Sequence, residues 1–114
     1  MKAMAAMTNQ RVCFLLQLKP DRVQDYLQAH QHVWTDMLDA LTAAGWRNYS
    51  LFVREDDGLV VGYLETDDFA AAQQRMAQTE VNARWQAGMA EYFVSEAANP
   101  DEQMQTLLEY FHLE

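Results

Sequence analysis

Cysteine, proline and glycine are all scarce in this chain of 114 residues, which contains one, two and four of them respectively. A single cysteine cannot form an intrachain disulfide, and Cys13 lies in an apolar run where a thiol serves as a small hydrophobic side chain. This cysteine usage suits a reducing compartment. The chain also lacks a glycine-rich loop of the kind that binds phosphate groups.

Long apolar runs are absent as well, although half of the residues are hydrophobic. No run approaches the roughly 18 consecutive apolar residues of a membrane-spanning helix, and the N-terminus lacks the apolar stretch of a secretory signal. A chain of this length buries about two-thirds of its unfolded surface, enough for one core. We therefore expect one cytoplasmic domain, residues 10–114, preceded by a flexible N-terminal extension, residues 1–9, that shows no periodicity.

Basic residues are few, with eight lysines and arginines against seventeen acidic residues and a formal net charge of −9. A net negative charge repels phosphate backbones and anionic lipid, so we expect neither nucleic acid nor a membrane as a partner. The basic residues are also scattered along the chain, whereas a polyanionic ligand needs them clustered. The charge balance therefore favours a neutral small molecule as the ligand.

Hydrophobic periodicity and turn residues predict elements in the order β, α, β, β, α, β. Asp21 is placed to cap the first helix and Gly45 to end it. Thr66 or Asp67 can cap the second helical region, and Thr79 marks a second helix start within that region. Asp57-Gly58 is typical of a hairpin turn. The predicted bounds are a strand over 10–18, a helix over 21–44, strands over 48–54 and 59–65, a helical region over 67–92 that is broken near 78, and a strand over 106–113.

This order of elements is typical of an α+β, ferredoxin-like fold, in which helices cover one face of a four-stranded antiparallel sheet. The other face needs a cover, and a second copy of the same chain is the simplest one, because two-fold dimers are the commonest closed oligomers. We therefore predict a ferredoxin-like βαββαβ domain that forms a homodimer of the dimeric α/β barrel type.

His30 is the best candidate for chemistry, since an imidazole changes its protonation near neutral pH. Tyr26 and Trp34 lie four residues before and after it, so the three side chains form one row on a continuous helix. Aromatic faces beside an imidazole suit a sugar, which stacks through its CH surfaces and exchanges protons through its hydroxyls. A hydrogen-bonded core histidine is the competing interpretation, and spacing alone favours it.

Metal and nucleophile chemistry have little support in the sequence. His30 and His32 are two residues apart, about 200° around a helix axis, so they cannot bind one ion together. No serine lies in a Gly-x-Ser-x-Gly turn, and Cys13 falls within a predicted strand. We therefore expect no metal site and no nucleophilic catalysis.

Four segments resemble, in order and spacing, the L-rhamnose mutarotase family. They are Tyr26-x-x-x-His30-x-x-Val33-Trp34, Asn48-Tyr49-Ser50-Leu51-Phe52, Arg84-Trp85 and Ala98-Asn99-Pro100-Asp101. The resemblance implies a small dimeric βαββαβ fold and an isomerase that interconverts the α and β anomers of L-rhamnose without a cofactor. It also implies that His30 donates a proton, that Tyr26 and Tyr49 bind the sugar, and that Trp85 is the first residue of a Trp-Trp pair lining the pocket.

Two departures from the family pattern bear on the substrate. Gln86 stands where relatives often have the second tryptophan, and His30-Gln31-His32 stands where they often have His-Asn-Pro. An amide in place of an indole removes a stacking wall and can hydrogen-bond a hydroxyl, so the sugar is L-rhamnose, a related deoxyhexose or another pyranose. A small dimeric α/β barrel monooxygenase and a non-catalytic ligand-sensing dimer module are the alternative functions, because one fold hosts many functions.

Overall fold

The structure is a computed structural model that describes residues 9–94 and 103–114. The predicted N-terminal extension, apart from Asn9, lies outside the described residues, and so does the Ala98–Asp101 segment of the family resemblance. The described residues form four β-strands and four α-helices. Their bounds are β1 Gln10–Gln17, α1 Val23–Ala29, α2 Thr35–Ala43, β2 Arg47–Arg54, β3 Leu59–Thr66, α3 Phe69–Ala77, α4 Glu80–Met89 and β4 Gln105–Leu107.

The strands form one antiparallel sheet in the order β2-β3-β1-β4. β1 and β3 pair along their whole length, from Gln10 opposite Thr66 to Gln17 opposite Leu59. The hairpin between β2 and β3 turns at Gly58, whose φ of 79° needs a residue without a Cβ. The predicted ferredoxin-like architecture, with two helical regions between the strands of a four-stranded sheet, is confirmed.

The final strand is shorter than the prediction of 106–113. β4 has three residues and pairs with β1 from Leu15 opposite Gln105 to Cys13 opposite Leu107. Beyond Leu107 the chain contacts β1 through side chains, with Arg11 Nε donating to Glu109 Oε2 at 2.9 Å. The apolar pattern of this segment therefore marks an exposed C-terminal arm, residues 108–114, and not a continuation of the strand.

The core lies between the sheet and the helices because alternate strand residues point to the helical face. Phe14 and Leu16 of β1 and Val60 and Leu64 of β3 are buried there. Gly62 lies opposite Phe14, and a Cβ on Gly62 would overlap the Phe14 ring, so the glycine makes room for the aromatic side chain. The cavity described below opens within this core.

The first helical region is not the continuous helix predicted over 21–44. α1 ends at Ala29, a 3-10 turn covers His30–His32, and Val33 and Trp34 adopt extended backbone before α2 begins at Thr35. Neither proline nor glycine occurs in this stretch, so no local residue forces the break. The rings of His30 and Trp34 both pack against Trp85, and this tertiary packing offsets the helical propensity.

Of the predicted helix N-caps, one is confirmed and the others are wrong. Thr79 caps α4 by accepting the Asn82 backbone N–H at 3.3 Å, which confirms the second start. The cap of α3 is Asp68, not Thr66 or Asp67, since its Oδ1 accepts from the Ala71 N–H at 3.1 Å. The Asp21 cap was also wrong, because residues 20–22 form a 3-10 turn without a side-chain cap.

The helices of the described residues are short. The longest helix has ten residues, and none of the helices in these parts of the chain has the length and apolar character that crossing a bilayer requires.

We expect Gly62→Ala to lower the free energy of unfolding by about 1–3 kcal/mol, because the added methyl group forces the Phe14 ring out of its packed position. Urea denaturation followed by tryptophan fluorescence measures this. Gly88→Ala is the matched control, since a Cβ there meets no described atom within 4 Å and alanine favours a helix by about 0.5–1 kcal/mol. Equal effects of the two substitutions would contradict the packing role of Gly62.

Candidate active site

A cavity of about 350 Å³ lies between the sheet and the helices α2 and α4. Most of its wall is apolar, and its lining includes the polar residues His30, Tyr49, Asn82 and Gln86. The remaining lining residues are Val33, Met37, Leu38, Leu41, Trp46, Leu51, Met76, Trp85 and Met104. An apolar cavity with a few convergent polar groups is the usual form of a small-molecule site.

His30 stands at the start of the 3-10 turn that follows α1, and its side chain is half-buried. Its Nδ1 lies 3.3 Å from the backbone carbonyl oxygen of Tyr26. A carbonyl oxygen only accepts, so Nδ1 carries the hydrogen of this bond and the neutral ring keeps a lone pair on Nε2. His30 is thus held as a base in its neutral form and becomes an acid when protonated.

Burial lowers the pKa of His30 below its ordinary value of 6.5, because the charged ring is poorly solvated. The hydrogen bond to the Tyr26 carbonyl opposes this shift, and burial outweighs it. The imidazole is therefore neutral at pH 7, and its cation is a stronger acid than a solvated imidazolium.

Tyr26 packs against His30, with ring centroids 4.4 Å apart. Both residues line a smaller cavity of about 50 Å³ that also touches Tyr49, Trp85 and Gln86, residues shared with the larger one. Tyr26 is 5% exposed, and this burial strongly raises the pKa of its phenol. The hydroxyl stays protonated over the whole physiological range, which makes it a hydrogen-bond donor and not a base.

Trp85 joins the two sides of the break between α1 and α2. Its ring meets His30 edge-to-face at 5.4 Å and Trp34 edge-to-face at 5.0 Å between centroids. Of the predicted row, Tyr26 and His30 remain in contact, whereas Trp34 is joined to His30 only through the Trp85 indole on α4. Trp85 is buried and serves the core and the cavity wall together, whereas Trp34 remains 43% exposed, with the Arg84 guanidinium over its ring.

Tyr49 reaches the site from β2, where a bulge between Arg47 and Ser50 interrupts the pairing with β3. Asn48 within the bulge has a φ of 48°, which asparagine tolerates better than most residues. Tyr49 lines both cavities and packs on Trp46 at 5.0 Å between ring centroids. Trp46 is buried and belongs to the core.

Gln86 lines both cavities, and its Nε2 donates to Oδ1 of Asn82 at 3.1 Å. Asn82 is the polar lining residue that the sequence interpretation missed. It lies four residues before Gln86 on α4, so the helical spacing was available as a signal. What the sequence did not show is that this face of α4 borders a cavity.

The five predicted site residues Tyr26, His30, Tyr49, Trp85 and Gln86 are thus brought together around two adjoining cavities. Residues 9–94 and 103–114 contain no cluster of three histidine, cysteine, aspartate or glutamate side chains that could hold a metal ion. The polar groups of the site can stack on, hydrogen-bond and exchange protons with a neutral ligand.

Comparison with known proteins agrees with this geometry. A family model described as L-rhamnose mutarotase matches residues 11–113. An L-rhamnose mutarotase of Bacillus subtilis (strain 168) is 40% identical over 70 residues, which are 61% of this chain and 66% of that protein. The crystal structure of an L-rhamnose mutarotase from Formosa agariphila superposes with a TM-score of 0.78 at 23% identity, covering 92% of this chain and 99% of that one.

The fold is also shared with other kinds of protein. The crystal structure of an antibiotic biosynthesis monooxygenase superposes with a TM-score of 0.59 at 18% identity, covering 93% of this chain and 100% of that one. At such identity the likeness shows the architecture alone. Neither the monooxygenase nor the ligand-sensing module is favoured, because the family model spans nearly the whole chain.

We expect the buried imidazole to make stability depend on pH. The folded pKa of His30 is lowered, so below about pH 6.5 the unfolded chain binds more protons than the folded one, and the free energy of unfolding falls as pH decreases. Thermal unfolding of wild type and His30→Gln at pH 7.5 and 5.5 measures this. The melting temperature of His30→Gln should fall less on acidification than that of wild type. The exposed control His32→Gln should show the same change of melting temperature with pH as wild type. Identical slopes for all three proteins would contradict the lowered pKa.

Proposed function

This chain belongs to the L-rhamnose mutarotase family, and we propose that it is an isomerase that interconverts the α and β anomers of L-rhamnose or a closely related deoxyhexose. This proposal rests mainly on His30. Among the described residues that line the larger cavity, His30 is the one side chain that titrates near neutral pH. No carboxylate competes with it among those residues.

Ring opening moves one proton from the anomeric hydroxyl to the ring oxygen. Neutral His30 accepts the anomeric proton at Nε2, the bond between the anomeric carbon and the ring oxygen breaks, and the new aldehyde C=O forms. The imidazolium then gives its proton to the former ring oxygen. Rotation of the aldehyde and the reverse steps close the ring as the other anomer, and His30 returns to its neutral form.

The lowered pKa of His30 suits both halves of this cycle. The ring is neutral and ready to accept a proton at pH 7, and its cation is acidic enough to return the proton quickly. Tyr26, whose phenol stays protonated, donates a hydrogen bond to a sugar oxygen, and Tyr49 lines the same smaller cavity. Trp85 and the methionine and leucine side chains receive the CH and methyl surfaces of the sugar.

We expect His30→Gln to reduce enzyme-dependent anomer exchange by about 10² or more, because glutamine can replace the hydrogen bond to Tyr26 but cannot transfer protons. NMR saturation transfer between the α and β anomeric protons of L-rhamnose measures the exchange. His32→Gln is the control, since His32 is exposed and absent from the cavity walls. An exchange rate in His30→Gln equal to that of wild type would contradict the proposed catalytic role of His30. If the wild-type protein did not speed the exchange of L-rhamnose or its epimers, the proposed function itself would be contradicted.

We also propose a cytoplasmic homodimer in which the C-terminal arm packs on the second copy. Leu108, Tyr110, Phe111 and Leu113 are 73–92% exposed, an unusual concentration of large apolar side chains for a free segment. The arm borders an open groove of about 440 Å³ on the sheet face that carries Arg11, Cys13 and Tyr63. An arm and a groove on one face give the self-complementary surface that a two-fold interface needs.

We expect removal of residues 108–114 to convert a dimer into a monomer, because it removes the exposed apolar side chains of the arm. Size-exclusion chromatography with light scattering measures the mass. Tyr110→Ser with Phe111→Ser tests the same side chains in a full-length chain, and Leu38→Ser is the matched control, since Leu38 is half exposed on a helix and not on the arm. A wild-type chain that elutes as a monomer, or an armless chain that stays dimeric, would contradict this proposal.

A further inference from the structure

We propose that four methionines, Met37, Met76, Met89 and Met104, form an adaptable wall that determines which sugars the site accepts. This methionine wall adjusts to the group that C5 of the sugar carries. The inference rests on the proposed function and widens its substrate from one sugar to a class. The class comprises L-rhamnose, which has a methyl group on C5, L-lyxose, which has a hydrogen there, and L-mannose, which has a hydroxymethyl group.

The methionines of the described residues are concentrated at the cavities. Residues 9–94 and 103–114 contain four methionines, and every one of them lines at least one of the two cavities. Met37, Met76 and Met104 line the larger cavity, whereas Met89 and Met104 line the smaller one. They come from α2, α3, α4 and the residue that precedes β4, so no single amphipathic pattern brings them together. The tertiary fold gathers them around one space.

Other apolar side chains fill the interior away from the cavities. The largest fully buried apolar residues are Phe14, Leu18, Val60 and Leu64, and none of these four lines either cavity. Phenylalanine, leucine and valine have well-defined rotamers, whereas the unbranched methionine side chain has three rotatable bonds. Methionine also loses more rotamer freedom than leucine when it is fixed in a core, so leucine is the more favourable residue at a purely structural position. Methionine is thus found where a cavity leaves its side chain room to move.

The methionine wall extends to the part of the site where the proposed reaction takes place. The two cavities share six lining residues, among them His30 and Met104. In the proposed mechanism, His30 exchanges protons with the anomeric hydroxyl and with the ring oxygen. C5 is bonded to the ring oxygen, so only C5 itself separates its substituent from an atom that His30 protonates. Met104, which borders both cavities, is therefore the methionine that we place against the group on C5.

A wall of methionines can follow the size of the group on C5. A stiff apolar pocket separates substrates that differ by one methylene group by about 10- to 200-fold, since a missing group leaves a void and an added one overlaps the wall. A methionine side chain can move into the space that a hydrogen leaves and withdraw from a hydroxymethyl group. Its sulfur atom is also a weak hydrogen-bond acceptor for the extra hydroxyl of L-mannose. Flexible, methionine-rich surfaces are accordingly typical of sites that bind several ligands.

The test compares three sugars that differ at C5 alone, because L-rhamnose, L-mannose and L-lyxose share the configuration of C2, C3 and C4. NMR saturation transfer gives the enzyme-dependent exchange rate of each sugar with wild type, with Met104→Leu and with the double variant Met89→Leu and Met104→Leu. Leucine keeps the volume and apolar character of methionine but is branched and lacks the sulfur atom. Leu18→Met is the matched control, since it makes the reverse exchange at a fully buried position that lines neither cavity. Thermal unfolding verifies that each variant is folded.

We expect wild type to exchange the three sugars at rates within about tenfold of one another. In Met104→Leu, and further in the double variant, the rates for L-mannose and L-lyxose should fall by about tenfold or more relative to that for L-rhamnose, because the stiffer wall no longer adjusts to the group on C5. Leu18→Met should retain the wild-type ratios.

Three results would overturn the inference. The first is a wild type that separates L-rhamnose from either other sugar by more than about tenfold, because its wall would then be a stiff one. The second is a pair of leucine variants with the wild-type ratios. The third is an equal loss of all three sugars in those variants, which would show that the methionines only pack against the core.

The outcome is separable from that of the proposed function. If wild type exchanged L-rhamnose alone, the mutarotase proposal would stand and the methionine wall would be overturned. If wild type exchanged none of the three sugars, the mutarotase proposal would fail, and quenching of tryptophan fluorescence at Trp85 would measure their binding instead. Similar wild-type affinities for the three sugars that diverge in the double variant would support the methionine wall without catalysis. Absence of binding, or the same affinity ratios in wild type and double variant, would overturn it.

Discussion

Trp85 packs edge-to-face against two rings on opposite sides of a break in the first helical region, and the arrangement of the site depends on this packing. The contact to His30 fixes the end of α1, and the contact to Trp34 fixes the start of α2. Because one indole on α4 meets both, the two helices are placed apart from each other and above the sheet. The cavity is the space that this placement leaves, and His30 stands at its edge.

The apolar wall determines how the few polar groups behave. In water, an imidazole and a phenol would titrate near their ordinary pKa values. Burial lowers the pKa of His30 and raises that of Tyr26, which leaves one proton acceptor and one donor side by side at neutral pH. The same low polarity strengthens the hydrogen bond that Gln86 Nε2 donates to Asn82 Oδ1.

Local chemistry was predictable from the sequence, and tertiary placement was not. The hairpin at Gly58, the helix stop at Gly45 and the start of α4 at Thr79 each follow from one or two neighbouring residues. The break after Ala29 does not, because it follows from packing against Trp85, some fifty residues away in the sequence. The end of β4 at Leu107 likewise depends on which strand lies beside it.

The same distinction between local chemistry and tertiary placement applies to the site. The neighbourhood of Tyr26 and His30 follows from a spacing of four residues, whereas Tyr49 and Trp85 were assigned by family resemblance, since no local pattern joins β2 and α4 to α1. Asn82 was missed although its spacing from Gln86 was visible. Its polar side chain looks like that of any exposed helical residue until the fold shows that this face of α4 is buried.

The helix break also determines the chemical form of His30. A carbonyl oxygen has two lone pairs, so in the last turn of a helix it can accept a side-chain donor as well as a backbone N–H. α1 ends at Ala29, and the Tyr26 carbonyl there accepts both the backbone N–H and Nδ1–H of His30. A backbone carbonyl orients the ring without adding a full negative charge, which a carboxylate would bring and which would raise the pKa. The helix terminus therefore selects the tautomer, burial keeps the ring neutral, and the lone pair on Nε2 remains available to accept a proton.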